Sequence, residues 1–87
     1  PTVVLETKDG AFAYSVFSAM KVKSDDDWYR FITTDLDKTY EKWISYSKTK
    51  SLYNTEITPV YGQQILTLST CYGDNQNDRI LVLAVRN

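Results

Sequence analysis

Two side chains of this sequence have the chemistry to act on a substrate together. They are the thiol of Cys71, the only cysteine, and the guanidinium of Arg79, eight residues later. A thiolate attacks carbonyls readily. A fixed cation beside it favours the thiolate over the thiol. A guanidinium can also donate hydrogen bonds to the oxyanion that forms on an attacked carbonyl. A lone cysteine is more often a small buried apolar side chain, and an arginine at a strand start is often only solvated. The neighbours favour a site: Thr67, Ser69 and Thr70 place hydroxyls around Cys71, and a polar loop, Tyr72 to Asp78 (YGDNQND), follows it. One absence limits the set, because the chain has no histidine.

The elements that must position this pair are two strands. Ile65 to Cys71 alternates, with Leu66 and Leu68 on one face and Thr67, Ser69 and Cys71 on the other, polar face. Arg79 to Arg86 opens on the arginine and runs through Ile80-Leu81-Val82-Leu83-Ala84-Val85. So continuous an apolar run argues burial on both faces. If the loop between them folds back as a hairpin connection, the guanidinium comes within reach of the thiol.

The rest of the chain supplies the scaffold. Thr2 to Thr7 is β-branched and apolar, which predicts a strand, and Asp9-Gly10 after it is a hairpin signal. Ala11 to Lys23 alternates, with Phe12, Tyr14, Val16, Met20 and Val22 on one face and Ala13, Ser15, Phe17 and Ala19 on the other. Ser24-Asp25-Asp26-Asp27 breaks that strand. It lacks the alternating acidic spacing and the closing Glu of a calcium loop, so a solvated turn is expected. Trp28-Tyr29-Arg30-Phe31 is expected as a loop-borne aromatic cluster, either an anchor onto the core or the wall of a groove. Thr34 with Asp37 resembles a capping box. Leu36, Tyr40, Trp43, Ile44 and Ser47 then recur at helical spacing, which predicts one amphipathic helix over about 35–49. Between it and the cysteine strand, Glu56-Ile57-Thr58 suits a short edge strand. The fold class expected is mainly β with one inserted α-helix, with strands at about 2–7, 11–23, 65–71 and 79–86.

Composition removes several functions. A chain of 87 residues makes at most one domain. A net charge of −1 gives no electrostatic reason to expect nucleic acid as a partner. One cysteine and no histidine exclude an internal disulfide and a thiolate zinc site. No metal or other cofactor is implied. No stretch is long and apolar enough for a membrane span, and none of these residues is expected to form a leader. The chain begins at Pro1 without a methionine. It is therefore expected to be part of a longer protein, with any targeting segment upstream.

Thr67-Leu68-Ser69-Thr70-Cys71 resembles the TLxTC motif of sortases, and Arg79 at the head of the next apolar strand resembles their catalytic arginine. The serine at the variable position and the helix set before the cysteine strand are similar to class B sortases. The resemblance runs from about Asp9 to Asn87.

It implies a cysteine transpeptidase of the Gram-positive cell surface, working at the outer face of the membrane and anchored by a segment not in this chain. Such an enzyme cuts a sorting-signal peptide after a threonine, holds the acyl part as a thioester, and passes it to a peptidoglycan amine. Cys71 would be the nucleophile and Arg79 the oxyanion or substrate-orienting group. Ser69, Tyr72, Trp28 and Tyr29 would line the substrate groove. The resemblance also implies a sortase-type β-barrel of about eight strands, of which this chain holds the carboxy-terminal half. The partner required is the amino-terminal half with its histidine, without which these residues are expected to be inactive. A non-catalytic sortase-like module that binds a peptide or a partner chain is the alternative. A redox sensor working through Cys71 is a weaker one, for want of a resolving cysteine.

Overall fold

Lys8 and Asp9 turn the chain back between Thr7 and Gly10, and an antiparallel sheet grows from that hairpin. Gly10 takes φ 131°, which a side chain would resist. The computed structural model describes residues 1–71, 73 and 76–87. Its elements are β1 (Thr2–Thr7), β2 (Gly10–Lys23), α1 (Trp28–Thr33), α2 (Leu36–Thr49), β3 (Ile65–Cys71) and β4 (Asp78–Arg86). The strands form one sheet in the order β1-β2-β4-β3, every neighbour antiparallel. The sheet is curled into a half-barrel, and both helices lie on one of its faces.

Strict alternation along β2 does not hold. Val16 faces Ala84 and Ser18 faces Leu83, so Phe17 is an extra residue, a β-bulge. The bulge moves Met20 and Val22 off the face of Phe12, Tyr14 and Val16 and onto the helix side. Phe17 joins them there, fully buried with Leu81 and Leu83. The Ser18 hydroxyl on the same side donates to the carbonyl of Ser47 at 2.6 Å, fixing α2 to the strand.

The helices bury the stripe that their spacing defines. Tyr40, Trp43, Ile44 and Ser47 of α2 are buried against Phe17, Met20, Leu81, Leu83 and Val85. Burying a Leu, Phe or Met side chain in this way stabilises by about 1.5–3 kcal/mol. Trp28 to Phe31 is not a loop: it forms α1, whose Trp28 enters the same core. Thr34 does not start α2. It ends α1, and Asp35 precedes α2 without a side-chain cap bond.

The other face of the sheet is more open. Leu68 is 48% and Leu5 38% exposed there, and Ile80 and Val82 are half-buried. From Leu81 to Val85, β4 is therefore buried on its helix side, while on this one Ala84 is buried and Ile80 and Val82 only partly so, short of the burial on both faces that its apolar run suggests. The accessible surface of 5951 Å² also exceeds the roughly 5,200 Å² of a compact protein of this mass.

Glu56-Ile57-Thr58 does not form a strand; its segment is tied down by a side chain instead. The Lys48 ammonium on α2 donates to the Ile57 carbonyl and the Thr58 hydroxyl, both at 2.7 Å, and to the Thr55 carbonyl at 3.2 Å. Farther back, Leu52 N–H bonds Ala19 and the Thr55 hydroxyl bonds Phe17, along the part of β2 that β1 leaves unpaired.

Candidate active site

Cys71 ends β3, Arg79 is the second residue of β4, and the ladder pairs them directly. Residues opposite one another in an antiparallel pair carry their side chains on the same face, with Cβ atoms about 4.5–5.5 Å apart. That face is the helix-bearing one, because Leu81 and Leu83, two and four residues beyond Arg79, are in the core. On its other side Arg79 pairs with Val22. The arginine is thus the middle of a three-strand row, Val22–Arg79–Cys71. It is half-buried, whereas Cys71 at the sheet edge is a free, exposed thiol.

The guanidinium is held from the loop side. Arg79 Nη1 donates to the Asp78 carbonyl at 2.9 Å and also to the Gln76 carbonyl. Asp78 is the carboxylate nearest in sequence, but alternation turns its side chain to the opposite face. There it pairs with Lys23, its own cross-strand neighbour. The Asp78 charge is answered by Lys23 and not by Arg79. Ser69 lies on the Cys71 face two residues earlier, opposite Leu81, and is exposed. Gly73, two residues after the cysteine, takes a left-handed φ of 66° where the chain leaves the strand.

The turn leaving β2 is clasped to the loop that returns from Cys71 to Arg79. Ser24 N–H donates to the Asn77 carbonyl at 2.7 Å. A small cavity of 320 Å³, lined by Lys23, Ser24, Asp25 and Asn77, sits at that junction. A larger groove of 460 Å³ runs between α2 (Glu41, Ile44, Lys48) and Thr58-Pro59-Val60, and neither Cys71 nor Arg79 lines it. Size alone does not find the reactive pair.

The clasp brings α1 to the cysteine end of the sheet. Trp28 is only 2% exposed, and its indole N–H donates to Ser47 Oγ at 3.0 Å. Its ring packs edge-to-face on Tyr29, centroids 5.0 Å apart, and lies 6.0 Å from Trp43. Of the two readings of the aromatic cluster, Trp28 is the anchor onto the core. Tyr29 is half-buried and keeps surface to offer. Tyr72 lies outside the described residues.

No family model matches the chain. It is 32% identical to sortase B of Staphylococcus aureus (strain NCTC 8325 / PS 47), in an alignment covering 94% of this chain and 34% of that protein. A crystal structure of Staphylococcus aureus sortase B superimposes with a TM-score of 0.80 at 31% identity, over 99% of this chain and 41% of that one. Clostridium perfringens sortase B gives 0.81 at 27% identity, over 99% and 48%. The chain belongs to the sortase family. Its fold is the sortase β-barrel's in part, and it spans about a third of the length of the curated relative.

Two residues that matter to this sortase half-barrel carry no motif. Asp26 looks like one of three solvated acids, yet its carboxylate accepts from Trp28 N–H at 3.0 Å and from the Tyr46 hydroxyl at 2.7 Å. The i to i+2 bond of an Asp onto a following amide is a known turn device, but the sequence offers it equally to Asp25 and Asp27. Asn77 reads only as part of a polar loop. Burial, then the bond to Asp26 and the charges of Asp26 and Asp27, push the Tyr46 phenol up to about 12. Burial also raises Tyr40, and a hydrogen bond to Asp37 raises Tyr61. Among the described residues no group of three or more acids or cysteines could hold a metal ion, and no helix is long and apolar enough to cross a membrane.

Proposed function

We propose that this chain supplies the nucleophile and the arginine of a class B-type sortase active site, and that the proton donor comes from a histidine outside these 87 residues. The Cys71 thiolate attacks the threonine carbonyl of a sorting signal. The bond to the next residue breaks, the leaving amine takes a proton, and the acyl part stays on sulfur as a thioester. An amine of the peptidoglycan precursor then attacks the thioester, forms an amide and releases the thiolate. A thioester remains reactive toward amines, which is what an acyl carrier requires. Arg79 donates to the oxyanion of each tetrahedral intermediate or orients the peptide beside it.

The observation that carries this reading is the direct cross-strand pairing of Cys71 with Arg79. A Staphylococcus aureus sortase B has been solved as a substrate complex and a sortase B with triglycine, which supports a peptide substrate and an amine acceptor as partners here. Ser69 and Tyr29 line the peptide path in this reading, Tyr72 joins them by its place after the nucleophile, and Trp28 serves by holding Tyr29. The enzyme would work at the outer face of a Gram-positive membrane, anchoring surface proteins to the cell wall, with its anchor outside this chain.

The test compares two proteins with a fluorophore–quencher peptide selected for cleavage after threonine. The full-length product of the gene that encodes this chain is expected to cleave it and to stop when Cys71 becomes Ala. The 87-residue chain alone is expected to be inactive, because no general acid protonates the leaving amine. Turnover by the chain alone contradicts the need for an outside histidine. Absence of turnover by a full-length product that does contain a histidine favours a non-catalytic, peptide-binding module.

A further inference from the structure

A six-residue helix cannot set its own direction. Nucleating a single turn costs more than its few hydrogen bonds return, so α1 takes its orientation from what it is attached to. Trp28 is one attachment, a buried plug at the first helical residue. Tyr29 and Phe31 pack beside the core as well, the Phe31 ring centroid 5.5 Å from that of Tyr46. The hydrogen-bonded attachment is Asp26.

Asp26 makes four hydrogen bonds to three elements. Its Oδ1 accepts from the Trp28 backbone N–H at 3.0 Å and from the Tyr46 hydroxyl of α2 at 2.7 Å. Its own N–H donates to the Lys23 carbonyl at the end of β2 at 3.0 Å, and its carbonyl accepts from Tyr29 N–H at 3.1 Å. The acids on either side do nothing comparable. Asp25 and Asp27 are exposed; the Asp27 carbonyl accepts from Arg30 N–H at 3.0 Å, but its side chain makes an exposed pair with Arg30 at 3.5 Å and no cap bond. The Tyr46 phenol stays a donor throughout the neutral range, since it titrates near 12. At the other end of the same turn, Ser24 is bonded to Asn77 in the loop between Cys71 and Arg79.

We infer that Asp26 is a positioning residue for the substrate site: it sets the angle of α1, and with it Tyr29, against the Cys71 end of the sheet. This rests on the proposed sortase reaction at Cys71. Asp26 touches neither the thiol nor a reacting atom, so its effect falls on how the peptide is held and not on the chemical step. Loss of binding common to ground and transition states raises KM and leaves kcat in place. An asparagine keeps an Oδ1 acceptor at the same point, so the carboxylate's charge is dispensable and its acceptor is not.

The experiment is steady-state kinetics of the full-length product on the same quenched peptide, for wild type, Asp26→Ala, Asp26→Asn, Tyr46→Phe and Cys71→Ala. The expected result for Asp26→Ala is a KM raised about tenfold, the effect of losing roughly 1.4 kcal/mol of binding, with kcat little changed. Asp26→Asn restores wild-type values, and Tyr46→Phe raises KM in the same direction by a smaller factor. If Asp26→Ala does not fold, Asp26→Asn and Tyr46→Phe decide. An unchanged KM in Asp26→Ala or in Tyr46→Phe, or an Asn variant as impaired as the Ala variant, overturns the inference. Turnover that persists in Cys71→Ala defeats the sortase reading itself, a different failure.

Discussion

Cys71 and Arg79 face each other across the β3–β4 ladder, and Val22 flanks the arginine on its far side. The pairing makes the thiol and the guanidinium a unit set by backbone register, not by two flexible loops. Backbone hydrogen bonds along seven paired positions would have to slip to separate them.

The first consequence concerns the arginine. Arg79→Ala in the full-length enzyme is expected to lower kcat/KM by about 10²–10³-fold, the size of one oxyanion donor. Arg79→Lys should recover little of this, because an ammonium lacks the planar guanidinium that the Gln76 and Asp78 carbonyls hold in place here. Peptide-cleavage kinetics decide it, and a loss of only a few-fold removes Arg79 from the mechanism.

The second concerns the anchor of α1. Trp28→Ala is expected to destabilise the protein by about 3–5 kcal/mol, the usual cost of deleting a fully buried large aromatic. Ser47→Ala leaves the buried indole N–H without its acceptor and should cost about 1–3 kcal/mol. Urea unfolding followed by tryptophan fluorescence measures both. A Trp28→Ala loss below about 1 kcal/mol contradicts the core role given to this side chain.

These residues show where sequence reading succeeds and where it stops. The hairpin at Asp9-Gly10 and the buried stripe of α2 are local patterns, each written within a dozen residues. The thiol–arginine pair is legible because a motif and a strand start mark its two ends. The bulge at Phe17 is not legible, because Val16 and Phe17 are both apolar and nothing local says which is the extra residue. Helix α1 is too short to show a period, so its aromatics read as a loop. Asp26 lies between two exposed acids of the same type, and only the approach of Tyr46 from another helix tells it apart.

The third prediction is a pH effect on stability. The folded Tyr46 phenol titrates near 12, above its ordinary 10.0, so folding favours the protonated form. Its contribution is complete below pH 10 and is lost as pH rises from 10 through 12. Tyr40 and Tyr61 shift in the same direction. Stability measured by urea unfolding between pH 9 and 12 should fall less steeply in Tyr46→Phe than in wild type. Equal slopes contradict the assignment.

The fourth concerns the segment that leads into β3. Lys48→Met removes three hydrogen bonds to Thr55, Ile57 and Thr58 while keeping the length of the side chain. It is expected to cost about 1–3 kcal/mol and to speed amide hydrogen exchange over residues 52–60 more than in β3 or β4. Unaltered exchange in that segment shows that something other than Lys48 holds it.

The central claim is that Cys71 carries the acyl group. Intact-mass and peptide-mapping spectrometry of the full-length product, quenched during turnover of the sorting peptide, tests it most directly. The expected result is a covalent acyl adduct on Cys71 that hydroxylamine removes and that Cys71→Ala lacks. Turnover with no adduct on Cys71, undiminished in Cys71→Ala, contradicts the account.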